Sequence, residues 1–168
     1  MTRQNLESLW EQFRLSNGVT LRALQAIPDD QLGACPVANM RTARELVDHI
    51  YSYVKAIPEA VVKGRITAAD VEPQLGRMAT SQDTVAYARE CFQKADAAVK
   101  QITEQHLGDM VATHWGPSFP GSMMMTVLYD EHLHHRGQLY AYLRAMGIEP
   151  PFIWGFEENE PAFQPKKA

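Results

Sequence analysis

The segment Asp130-Glu131-His132-Leu133-His134-His135-Arg136-Gly137-Gln138-Leu139 holds three of the chain's six histidines inside a stretch with helical periodicity. At 100° per residue, Met124, Val127, Leu128, Leu139, Tyr142 and Met146 project onto one apolar stripe, and Glu131 and His135 fall within it. His132 projects onto the edge of the stripe and His134 well away from it. A carboxylate and an imidazole one turn apart are costly to bury unless something pairs with them. A metal ion is a partner that both groups accept.

Outward from this segment, the pattern predicts a helix from about Ser122 to Gly147, with Gly147 as the C′ glycine and Pro150-Pro151 blocking continuation. Three further amphipathic segments precede it. The first runs from about Asn5 to Ala26 with Leu6, Trp10, Phe13, Leu21 and Leu24 on one side. Gly18 weakens its middle, and Ile27-Pro28-Asp29-Asp30 ends it. The second starts at Thr42 and Glu45, spaced as a capping box, and carries His49 among Leu46, Ile50, Tyr53, Val54 and Ile57. The third, about Ser81 to His106, repeats Val85, Ala88, Phe92, Ala95, Val99 and Ile102 in bundle-like spacing. The Gly- and Pro-containing stretch from Gly64 to Ala79 is long enough to cross between non-adjacent helices. No β-hairpin signal, internal repeat or second domain is visible. The expected fold is all-α, a four-helix bundle with a long crossover loop. It forms one domain over 1–168, with the bundle at about 5–147 and a tail at 148–168.

Composition narrows the function. With 45% hydrophobic and 21% charged residues the 168-residue chain reads as globular. A net charge of −4 without a basic stripe argues against nucleic acid as a partner. No apolar run approaches a membrane span, and the polar N-terminus does not read as a signal peptide. Cys35 and Cys91 have no metal or disulfide spacing and are expected to be free, as small buried hydrophobes in a reducing compartment. The expectation is therefore a cytoplasmic protein.

Three blocks then carry a family resemblance. They are Cys35-Pro36 through Thr42-Ala43-Arg44-Glu45-Leu46-Val47-Asp48-His49, the block His134-His135-Arg136-Gly137-Gln138-Leu139, and the ending Tyr142-Leu143-Arg144 with Gly147 and Pro150-Pro151. In order and spacing the chain resembles the DinB/YfiT-like family of bacterial metal-binding four-helix bundles, which is unrelated to the polymerase of similar name. The resemblance implies a divalent metal, zinc or nickel, held by three histidines. One comes from the second helix and two, four residues apart, from the last. The matching positions here are His49, Glu131 and His135, so this sequence departs from the family pattern at Glu131. Either the site is a two-His, one-carboxylate set, which also admits iron or manganese, or His132 moves in, or the metal is lost.

What the resemblance implies for function is a metal-dependent hydrolase or a low-molecular-weight-thiol transferase acting on a small molecule. The alternative is a non-catalytic, stress-related binding or interaction bundle. Homodimerisation through a helix face is a further expectation. For the neighbouring residues the structural readings are preferred. Gly137 is expected at a close helix approach and Gln138 in a hydrogen bond across the core. Arg136 is a candidate partner for Glu131. Trp115 to Phe119 is expected to rim a pocket, Met123-Met124-Met125 to serve packing, and His106 and His114 to lie on the surface.

Overall fold

The computed structural model describes residues 1–154. The protein is mostly helical, with four long helices: α1 (Arg3–Gln25), α2 (Ala43–Lys63), α3 (Ser81–Val99) and α5 (Gly121–Ala145). A short α4 (Glu104–Gly108) stands between the last two, and among the described residues no helix is long and apolar enough to cross a membrane. Each long helix except α5 begins at a threonine whose hydroxyl accepts the backbone N–H three residues on. These are Thr2, Thr42 and Thr80, with Asn5, Glu45 and Asp83 reaching back to complete the capping boxes. Gly18 does not interrupt α1.

The helix expected to run from Ser81 to His106 ends instead at Val99. Thr103 caps a new helix by accepting from the His106 N–H at 3.2 Å, which turns the chain away after the buried Ile102. At the far end of α5 the expectation holds. Gly147 is left-handed at φ 78°, its N–H bonds the Arg144 carbonyl at 3.0 Å, and the Ile148 N–H reaches back to Leu143 at 2.8 Å. This is a Schellman motif.

Around the core, α1 packs on α3 and α5, and α2 packs on the same two. The diagonal pairs are thus α1 with α2 and α3 with α5. The Gly64–Ala79 segment accordingly joins neighbouring helices. The crossings lie elsewhere, before α2 and between α3 and α5. Across the α1–α2 diagonal the Tyr51 hydroxyl donates to Asn17 Oδ1 at 2.7 Å, and both residues are buried.

A small sheet was not expected from the sequence. β1 (Arg65–Ile66) pairs parallel with β2 (Met110–Thr113), and β2 pairs antiparallel with β3 (Phe119–Pro120) in the register Val111↔Phe119. Strands of two to four residues offer too little alternation to register as a period-2 signal. The β2–β3 hairpin presents Trp115 toward the middle of α2, with its ring centroid 6.1 Å from that of Tyr53. α5 starts directly after β3, and its first residue, Gly121, lies so close to α4 that a Cβ there would stand 2.2 Å from the His106 carbonyl oxygen. The close approach expected at Gly137 is therefore found at Gly121; nothing lies within 4 Å of a Cβ at Gly137.

Candidate metal centre

α2 and α5 lie side by side, and their facing turns bring His49 from one and Glu131 and His135 from the other to a common point. The imidazoles of His49 and His135 meet edge to face with centroids 4.7 Å apart. One ligand atom from each of the three residues lies within 4.8 Å of the other two. Two ligands at about 2.1 Å from one ion stand at most about 4.2 Å apart, so a side-chain shift of under about 1 Å closes the set.

The hydrogen bonds around His135 fix how it presents itself. Its Nδ1 is 2.8 Å from Gln138 Oε1, an acceptor only, so Nδ1 carries the proton and donates. Gln138 Nε2 in turn donates to His134 Nε2 at 3.1 Å, which is consistent with that amide orientation. In the neutral ring Nε2 is then the nitrogen that carries the lone pair. It is buried, has no hydrogen-bond partner among the described residues, and stands 3.2 Å from Glu131 Oε2. Two acceptors facing each other at this distance repel unless a cation or a proton lies between them. The donor set therefore fits a divalent ion, with Gln138 orienting His135 in the way that outer hydrogen bonds orient metal-ligating histidines. Gln138 thus works along its own helix, three residues from His135, and not across the core.

His49 is half-buried, and burial first, then Arg41 and His135, push its pKa down to about 4, while Glu131 opposes them. It is neutral at neutral pH, as a ligand must be.

Two positions on α5 differ from the helical-wheel expectation. Glu131 is exposed, its side chain 58% accessible, and sits at the rim of the site. His132 is only 2% accessible and faces α1, with Nε2 3.2 Å from the Thr20 hydroxyl and its ring 4.6 Å from that of Phe13. The reason is that α5 touches both α1 and α2, so its buried arc is broader than one stripe. The part of that arc carrying Met123, Val127 and Glu131 borders an open cavity. Arg136 does not pair with Glu131; it donates to the Ser16 hydroxyl at 2.8 Å.

That cavity, about 350 Å³, has the three candidate ligands at one end. Ile50, Val54 and Ile57 of α2 face Met124, Val127 and Leu128 of α5 across it, and Trp115 and Phe119 of the hairpin form a wall. The hairpin therefore rims a pocket as expected. Tyr53 lines it too, whereas Tyr129 packs against Phe13 in the core and Trp154 is exposed. Of the three consecutive methionines, Met124 and Met125 are buried and Met123 is an exposed part of the cavity lining. His114 is exposed, and His106 serves the α4 cap, its Nδ1 accepting from the Thr103 N–H at 3.2 Å. Cys91 is buried as expected. Cys35 is exposed, its thiol directed at the Val37 and Met40 carbonyls at 3.0 Å each.

Fold and cluster together define a helical protein with a candidate divalent-metal centre between two of its long helices. The sequence profile of the DinB family matches residues 1–167, and the chain belongs to that family. Among curated proteins it is similar to the uncharacterized protein YjoA of Bacillus subtilis (strain 168), 24% identical over 143 residues, covering 83% of this chain and 90% of YjoA. The crystal structure of that DinB-like protein superposes with a TM-score of 0.72 over 87% of this chain and 97% of YjoA. A DinB-like protein from Bacillus cereus ATCC 10987, 18% identical, has a TM-score of 0.69 over 87% of this chain and 95% of its own. These likenesses bear on the fold. The description of YjoA assigns it no activity.

Proposed function

We propose that this protein is a metal-dependent enzyme built on a four-helix bundle, with His49, Glu131 and His135 holding a divalent ion at the polar end of an apolar substrate cavity. One observation carries this reading: the buried, unpartnered Nε2 of His135 faces the Glu131 carboxylate beside His49, at the mouth of a cavity otherwise lined by aliphatic, thioether and aromatic groups. Three protein ligands leave positions open for substrate, which marks a catalytic site more than a structural one. A bound ion supplies Lewis acidity, usable for polarising a carbonyl in hydrolysis or for keeping a thiol ionised in thiol transfer.

The chain's own part is to position and to exclude water. Gln138 holds the His135 ring, and Ile50, Val54, Ile57 and Leu128 shed solvent from an apolar small molecule. Trp115 and Phe119 wall the cavity beside it. Two imidazoles and one carboxylate suit zinc, nickel, iron and manganese, with the carboxylate shifting preference toward the harder ions.

The test is elemental analysis of untagged protein, followed by direct titration with zinc, nickel, iron(II) and manganese. Roughly one equivalent bound by the wild type, and lost in His49→Ala, supports the reading. A second reading, a non-catalytic binding bundle, is favoured by the exposure of Glu131, since an i,i+4 Glu–His pair also occurs on ordinary helix surfaces. Wild-type protein that binds none of the four metals would establish it over the first.

A further inference from the structure

His49 and Tyr53 line not only the apolar cavity but also a second one, of about 740 Å³, beside the first turns of α2. Its walls include Leu46, Val71 and Leu75 and three charged side chains, Arg41, Glu45 and Asp48. Each carboxylate is anchored through one oxygen only. Glu45 Oε2 accepts the Thr42 N–H at 2.8 Å and the Thr42 hydroxyl at 2.9 Å. Asp48 Oδ1 accepts the Gln74 N–H at 3.0 Å and the Tyr87 hydroxyl at 3.2 Å. Glu45 Oε1 and Asp48 Oδ2 accept no hydrogen bond among the described residues. The Arg41 guanidinium, on the same cavity and four residues from Glu45, likewise forms no ion pair or hydrogen bond among the described residues. Its charge is nevertheless felt nearby, being the second cause, after burial, of the lowered pKa of His49.

One guanidinium and two half-used carboxylates thus face one cavity without pairing. A simple anion would satisfy Arg41 but meet two like charges. A simple amine would satisfy the carboxylates and leave Arg41 facing its charge. A ligand bearing both charges uses the whole set, and charge-assisted hydrogen bonds to each are the strong kind. We infer that the second cavity binds the zwitterionic headgroup of an amino-acid-like molecule. Its carboxylate sits on Arg41, its ammonium on the free oxygens of Glu45 and Asp48, and its apolar body against Leu46, Val71 and Leu75. That this places the ligand beside a metal centre rests on the preceding reading; the headgroup site itself stands on the charges.

The experiment is an NMR titration of ¹⁵N-labelled, metal-free protein with L-leucine, N-acetyl-L-leucine (no ammonium) and L-leucinamide (no carboxylate). L-leucine is expected to shift amides of residues 39–52 and 71–75 and to bind about tenfold more tightly than either analogue. Arg41→Gln should weaken L-leucine and N-acetyl-L-leucine but not L-leucinamide, whose ammonium no longer faces a like charge. Glu45→Gln, which keeps the capping box because Gln also serves there, should weaken L-leucine and L-leucinamide but not N-acetyl-L-leucine, whose carboxylate then meets one like charge fewer. Equal binding of the three compounds, no binding of L-leucine, or shifts confined to other parts of the fold overturns the assignment. Because no metal is present, loss of the metal centre and loss of the headgroup site give separate results.

Discussion

His49 and His135 stand 86 residues apart in the chain, yet their rings meet edge to face with centroids 4.7 Å apart. Their contact depends wholly on the packing of α2 against α5, so anything that binds both rings also ties the two helices together.

Chelation is therefore expected to lower the melting temperature. An ion bound only to the folded state stabilises it by about 2.7 kcal/mol at a hundredfold excess over Kd. For a chain of this size that corresponds to about 5–10 °C. Differential scanning calorimetry of metal-loaded protein with and without EDTA measures it. His49→Ala should melt lower than the loaded wild type and show no chelator effect. Identical melting of loaded and chelated wild type would discard the site as a source of stability.

Glu131 and His132 should respond in opposite ways to truncation. Glu131→Ala is expected to weaken metal binding strongly, and Glu131→His to retain it, as zinc and nickel titrations side by side will test. Gln138→Ala, which frees the His135 ring, should cost about 10–100-fold in affinity. His132→Ala should leave affinity nearly unchanged but destabilise the fold by about 2–4 kcal/mol, because the ring fills core space against Phe13 and Thr20. Metal titration together with urea unfolding separates the two effects; metal loss in His132→Ala alone would reassign the ligand pair.

Acid should destabilise the metal-free protein. Burial first, then Arg136 and His135, hold the pKa of His132 down to about 3, below its ordinary value of 6.5. Between those values the unfolded chain binds a proton that the folded chain does not, so stability falls as pH falls. The loss approaches about 1.4 kcal/mol per pH unit below about 6 and levels off near the folded pKa. His49, more exposed and held at about 4, adds a smaller contribution of the same sign. Urea unfolding at about pH 7 and about pH 5 in EDTA measures the slope. His132→Gln should flatten it, and an unchanged slope in that variant would mean that His132 charges freely in the folded state.

Two glycines of α5 are expected to behave oppositely. Gly137→Ala should stabilise by about 0.5–1 kcal/mol, since nothing lies within 4 Å of the added Cβ and alanine costs less helical entropy. Gly121→Ala should destabilise by more than about 2 kcal/mol, because its Cβ would stand 2.2 Å from the His106 carbonyl oxygen and 3.0 Å from Val61 Cγ1. Thermal unfolding of the two variants decides; a stabilised Gly121→Ala would contradict the tight α4–α5 contact.

Much of the fold was legible because its signals are local. Thr42 with Glu45 marks the start of α2, and Gly147 marks the end of α5, each through hydrogen bonds that close within about one turn. The Thr103 cap is equally local, but the apolar period continuing through Ile102 concealed it. The pairing of β1 with β2 spans more than 40 residues and rests on strands too short to show a period.

The sequence by itself determined the helices and most of their ends; spacing put Glu131 and His135 on one helix face, and the family resemblance added His49 as the third candidate ligand. Tertiary structure alone decided which face of α5 meets what. A helical wheel supplies one apolar direction, whereas α5 has two helical neighbours and an open cavity. Packing buried His132 against α1, left Glu131 at a solvent-facing rim, and turned Nε2 of His135 toward it. Those outcomes depend on contacts between residues far apart in the chain, which no periodicity within one helix encodes.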